Sequence, residues 1–158
     1  MLLIGINKGR LSMYPNHETD FYGWAEHTAA LLRAKRFSEL DLDGILEEVE
    51  SMGASEKREL VNRLAQLIFH LLKWQLQPER RGRSWEGSIE TQREELQELF
   101  MFSPSLKNKI EGLSPIAYKK AKSLLKKETP IDLNLLPQVC PYSLGEILDD
   151  EFFPERDA

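Results

Sequence analysis

Apolar residues recur along this chain at helical spacing and hardly ever alternate as they do in a half-buried strand. Leu42, Ile45, Leu46, Val49 and Met52 stand at i, i+3, i+4, i+7 and i+10, an amphipathic helix whose other positions include Asp43, Glu47, Glu48 and Glu50. From Leu60 to Leu76 the apolar residues spread right round the helix: Leu60, Val61, Leu64, Ala65, Leu67, Ile68, Phe69, Leu71, Leu72, Trp74 and Leu76. A surface helix shows a single stripe, so this helix belongs in the middle with others around it. Pro78 stops it, because the residue before a proline resists the helical conformation.

Capping residues mark the remaining elements. Thr19 or Asp20 opens a first helix carrying Phe21, Trp24, Ala25, Leu31 and Leu32. Asp41 caps the second. Between the second and the central helix, Gly53 followed by Ser55, Glu56 and Glu59 permits two readings, a short loop or one long helix kinked at the glycine; the loop is preferred. Ser84 caps a helix with Trp85, Ile89, Leu96, Leu99, Phe100 and Phe102. Ser103-Pro104 and Ser114-Pro115 read as caps followed by proline at the first helical position, giving a short helix to about Gly112 and a longer one to about Glu128. Residues 130–142 form an extended link. Ser143-Leu144-Gly145-Glu146 is a capping-box pattern opening a short last helix, after which Phe152, Phe153 and Pro154 return to the body.

The expected fold is therefore all-α, a compact bundle of five or six helices around a central apolar helix at about 55–77. Residues 20–35, 42–52 and 84–102 are expected as its antiparallel neighbours. Residues 19–155 are read as a single helical domain and residues 1–18 as a flexible N-terminal tail. With 158 residues, 41% hydrophobic and 30% charged, the composition is that of an ordinary soluble domain. A net charge of −5 gives no overall attraction to nucleic acid or to an anionic membrane, so such binding would need a local patch. The single cysteine, Cys140, excludes an internal disulfide and a cysteine-based zinc site, and fits the cytoplasm. The opening Met-Leu-Leu-Ile-Gly-Ile is too short for a signal peptide, and Leu64–Leu76, interrupted by His70 and Lys73, is too short to cross a bilayer.

Several strings resemble one known family. They are Thr19-Asp20-Phe21-Tyr22-x-Trp24, Leu40-Asp41-Leu42, Glu47-Glu48-Val49-Glu50-Ser51-Met52-Gly53, His70-Leu71-Leu72-Lys73-Trp74-Gln75 and Gln77-Pro78-Glu79-Arg80-Arg81-x-Arg83-Ser84-Trp85. Ser103-Pro104-Ser105-Leu106 and Cys140-Pro141-Tyr142 belong to the same set. Over roughly residues 19–155 the chain resembles the bacterial domain-of-unknown-function family twenty-nine. The resemblance implies a small all-α bacterial protein and carries no activity and no catalytic residues with it.

The residue types that carry chemistry are sparse. A di-iron bundle needs Glu-x-x-His pairs, and none of His17, His27 and His70 has an acid three residues before it. Glu47, Glu50 and His70 could meet across two helices, which leaves a Glu/His metal-dependent enzyme as a third reading. Cys140 lies in the extended link with no adjacent basic residue to lower its pKa, and reads as a small, partly buried hydrophobe. No phosphate-cradling glycine loop occurs. No catalytic residue, metal ligand or cofactor is assigned.

The densest cluster of donors is Arg80, Arg81 and Arg83 with Trp85, and Lys73 upstream. Arginine forks suit phosphates and carboxylates equally, and the tryptophans offer stacking faces. One reading is a nucleic-acid- or phosphate-binding module. The favoured one is a structural or interface role opposite Glu47, Glu48 and Glu50, since Glu39–Glu50 holds six acids and no base. A second basic stretch, Tyr118–Lys127, has Tyr118, Ala121, Leu124 and Leu125 on its inner side and reads as a solvated face. The expectation is a cytoplasmic helical interaction protein without chemistry of its own. Its partner would be an unknown protein, a second copy of the chain being one option; nucleic acid is not favoured, and no membrane is expected.

Overall fold

The computed structural model describes residues 15–155, and among them it is all-α. Five α-helices follow in order: α1 (Phe21–Arg33), α2 (Leu42–Leu76), α3 (Arg83–Phe102), α4 (Ile110–Glu128) and α5 (Leu144–Leu148). Short 3₁₀ turns at Phe37–Glu39, Pro78–Arg80, Pro104–Asn108 and Leu133–Leu135 join them. By their internal contacts the residues form two compact units, Met1–Met52 and Gly53–Ala158. Of the expected N-terminal tail, residues 1–14 lie outside the described residues.

In the first unit, Asp20 and Asp41 cap α1 and α2. Each carboxylate accepts from the backbone N–H three residues on, at 3.0 Å from Gly23 and 3.1 Å from Gly44. Trp24 and Leu31 are the buried residues of α1. α1 ends in paired bonds from Arg36 N–H to the Leu31 carbonyl and from Lys35 N–H to the Leu32 carbonyl, with Lys35 left-handed at φ 56°.

The expected break at Gly53 is absent: α2 runs for 35 residues straight through it. The reason is energetic. A glycine inside a helix costs about 1 kcal/mol. Ending the helix and starting another exposes up to eight unpaired backbone groups and requires a second, unfavourable nucleation. Ser55 is thus a mid-helix residue and not a cap, and residues 42–52 continue the central helix instead of lying beside it.

The second unit holds the larger core. Leu60, Leu64, Ala65, Leu67, Ile68, Leu71 and Leu72 of α2 are fully buried, so this part of the helix is covered on most sides, as its all-round apolar pattern requires. Burying each of the larger ones contributes roughly 1.5–3 kcal/mol. α3 supplies Ile89, Leu96 and Phe100, and α4 supplies Ala117, Tyr118, Ala121 and Leu125. Side-chain partners step backward along α3 as they step forward along α2: Glu56 with Ser103, Arg63 with Glu95, Lys73 with Trp85. The two helices are antiparallel.

Two boundaries differ from expectation. α3 begins at Arg83 with Gly82 as an uncapped N-cap, so Ser84 lies inside the helix and its carbonyl accepts from the Ser88 hydroxyl. α4 begins at Ile110 and contains Pro115, so Ser114 does not cap it. Proline at 115 removes only the bond to the Glu111 carbonyl, and both residues are exposed, so water can take the missing donor's place. The capping box at Ser143 and Glu146 forms as the sequence requires. Behind it, Phe152 and Phe153 pack half-buried against the core.

Candidate functional site

The end of α2 and the turn after it bring together residues of the His70–Gln75, Gln77–Trp85 and Cys140–Tyr142 strings. Lys73 lies with its ammonium 4.4 Å from the centre of the Trp85 ring and 5.0 Å from that of Phe69. A cation over aromatic faces is attracted by their negative π surface. One turn back, half-buried His70 packs 5.1 Å from Phe69 and leaves its Nδ1 without a partner. Burial, with the positive charge of Lys73 second, pulls its pKa down to about 4. His70 is therefore neutral at physiological pH.

Arg81 is turned inward. Its Nε donates to the Trp74 carbonyl at 2.8 Å and its guanidinium carbon lies 5.2 Å from the centre of the Trp74 ring. Looser contacts at 3.4 Å reach the Pro154 carbonyl and the Glu155 carboxylate. Gln75 completes the junction, accepting from the Tyr142 hydroxyl at 2.6 Å and donating to the Glu155 carbonyl at 3.1 Å. Lys73, Trp74, Gln75, Arg81, Trp85 and Tyr142 thus serve to hold the C-terminal segment and the start of α3 on α2.

Arg80 and Arg83 do not join them. Both are exposed, and neither side chain has a hydrogen bond or ion pair among the described residues. The cluster is split: one arginine is structural and two face solvent.

A residue absent from the candidate set does more than any of these. Arg93 of α3 is 1% exposed, the only fully buried charged side chain among the described residues. It donates to the carbonyls of Ile147 at 3.0 Å, Asp150 at 3.2 Å and Phe152 at 2.7 Å. Burial lowers its pKa from the ordinary arginine value, while Asp150, Asp149 and Glu90 pull it back up. Phe153 sits between its guanidinium, 5.5 Å away, and the Trp74 ring, 5.0 Å away. A signal was available in the sequence. Arg93 falls four residues after Ile89 and three before Leu96, squarely within the apolar stripe of α3.

The acidic residues Glu47, Glu48 and Glu50 lie in the first unit. The Glu47 carboxylate lies 3.1 Å from His17 Nε2 and accepts from it when that nitrogen carries the proton; the His17 ring also packs 5.5 Å from Trp24. Trp24 Nε1 donates to Asp41 at 3.2 Å. His17 is thereby held against α1 and α2, where the sequence reading placed it in the tail. Asp43, Glu48 and Glu50 have no side-chain partner among the described residues.

The apolar residues beside these acids differ most from what their pattern suggests. Leu42, Leu46, Val49 and Met52 are 66%, 57%, 59% and 68% exposed, and only Ile45 of the set is half-buried. An amphipathic stripe of more than two helical turns therefore faces solvent, flanked by carboxylates.

The other chemical candidates carry little. Burial pushes the Cys140 thiol up, with the charge of Glu146 adding to it, so thiolate is scarce at neutral pH. Glu47, Glu50 and His70, read as residues of two helices, all lie on α2. No three histidine, cysteine or acidic residues converge as a metal site among the described residues. No described helix is long and apolar enough to cross a membrane.

Comparison with known proteins places the chain in one family. The family model described as "Domain of unknown function DUF29" matches residues 16–153, and the chain belongs to that family. No curated protein matches the chain, and no solved structure does.

Proposed function

We propose that this DUF29 protein acts by binding another protein chain, without chemistry of its own, through the acid-flanked apolar face of Leu42–Met52. The observation that carries this reading is the exposure of Leu42, Leu46, Val49 and Met52 on one helix. Leaving such a row in water forgoes about 25 cal/mol for each Å² of apolar surface that packing would cover. Contiguous apolar surface rimmed by polar groups is characteristic of binding faces. The flanking Asp43, Glu48 and Glu50 would set specificity and orientation, since rim charges steer association more than they hold it. Placing a photo-crosslinking residue at Val49 in the living cell tests the reading. Protein adducts that disappear when Leu46 is changed to Asp are the expected result; a chain that yields none would count against it.

A second reading rests on Arg80 and Arg83, whose exposed forks are unpaired among the described residues. They could take a phosphate, as in a nucleic-acid- or phosphate-binding module. Retention of a mixed-sequence oligonucleotide pool that weakens steeply with salt, and is lost in Arg80→Glu/Arg83→Glu, would favour it over protein binding.

A further inference from the structure

The second unit carries a surface of matching shape class and opposite charge. Val61 of α2 and Leu113 and Ile116 of α4 floor a groove of about 540 Å³, and Lys57, Arg58, Asn62 and Lys120 form its rim. Ile116 is 55% exposed there, a β-branched side chain left largely in water. No acid lines the groove. Lys120 is tied to the Asn62 amide oxygen, which fixes it at the rim. Lys57 and Arg58 make no ion pair among the described residues.

The apolar row of Leu42, Leu46, Val49 and Met52 has the complementary character. It spans about 15 Å at 1.5 Å per helical residue. Residues 42–52 include four acids and no base, three of them unpaired among the described residues. An aliphatic ridge edged by unpaired carboxylates and an aliphatic groove edged by cations without an acidic partner are complementary in polarity and charge, and this chain carries both.

We infer that the occupant of the Leu42–Met52 face is a second copy of this chain, with the ridge of one copy seated in the Lys57–Arg58–Val61–Ile116–Lys120 groove of the other. The inference rests on the protein-binding reading above and names its partner. Apolar packing supplies the attraction. The charges supply direction, because ridge against ridge would face Asp43, Glu48 and Glu50 with their own copies, and groove against groove would do the same for the cations. A dimer in which two copies exchange ridges would contain two such contacts.

Sedimentation of the full chain over a dilution series tests this. The wild-type chain is expected to dimerise reversibly. Glu48→Lys/Glu50→Lys in the ridge, or Lys57→Glu/Arg58→Glu in the groove rim, should each weaken self-association about tenfold or more. Mixing the two variants should restore a heterodimer, since one of its two contacts then pairs opposite charges in the reversed sense. Glu50, Lys57 and Arg58 are exposed and Glu48 is half-buried with no hydrogen-bond or ion-pair partner among the described residues, so circular dichroism should report an unchanged fold. A wild-type chain that stays monomeric at every concentration overturns the inference, as does a dimer indifferent to reversal at either face, or a mixture that fails to associate. Crosslinks from position 49 to a different protein, with the purified chain monomeric, would sink self-association and leave the protein-binding reading intact. Crosslinks to the first fourteen residues of the same chain would sink both.

Discussion

At the scale of single residues, the best-defined chemistry belongs to Arg93 and His70. Arg93 is a buried cation whose charge is met by three backbone carbonyls and, among the described residues, by no direct carboxylate. Replacing it with Met keeps much of the apolar bulk but strands the carbonyls of Ile147, Asp150 and Phe152. At about 1–3 kcal/mol for each buried group left unpaired, partly relieved by entering water, Arg93→Met should cost about 3 kcal/mol in denaturant unfolding. Arg93→Lys keeps the charge but not the planar fork, and should fall between. His70 makes stability depend on pH. Its folded pKa, about 4, lies below the 6.5 of an unperturbed histidine, so the unfolded chain takes up the proton first. The stabilising effect is complete above pH 6.5 and is lost as pH falls from there towards 4. Urea midpoints measured across that window should drop for the wild type more than for His70→Gln, in which this proton uptake is absent.

At the scale of elements, α2 is the decisive object. Continuity through Gly53 follows from the cost of two helix ends set against one glycine, and it has a direct consequence. A Cβ built at Gly53 meets nothing within 4 Å, so alanine enters without a clash. Gly53→Ala should therefore stabilise the protein by about 0.5–1 kcal/mol, read as a higher Tm. A glycine that ended one helix in a left-handed conformation would give the opposite sign. Pro115 teaches the complementary lesson. A serine-proline pair announces a helix start only where a break is cheaper than one lost hydrogen bond, and near the exposed beginning of α4 it is not.

At the scale of the whole chain, the C-terminal segment is fastened from two directions within the second unit. Arg93 holds it from α3, and Arg81 with Gln75 holds it from the end of α2. The arginines of the cluster thereby differ in their contacts. Arg81→Ala removes the stacking on Trp74 and a carbonyl bond, and should cost about 1–2 kcal/mol while making the last residues easier to cleave in limited proteolysis. Arg80→Ala should stay within about 0.5 kcal/mol of the wild type.

What the sequence determined by itself is local or statistical. The all-α class, the all-round burial of Leu60–Leu76, the caps at Asp20 and Asp41 and the capping box at Ser143 were legible because each depends on residues within a few positions of one another. Periodicity also showed that Leu42, Leu46, Val49 and Met52 share a face, but period is blind to what covers that face. Only the tertiary structure decided that the row is exposed, that Arg81 turns inward while Arg80 and Arg83 do not, and that an arginine in the stripe of α3 finds three carbonyls more than fifty residues away. Those outcomes depend on which surfaces fold against which, and contacts between distant residues leave no period in the chain.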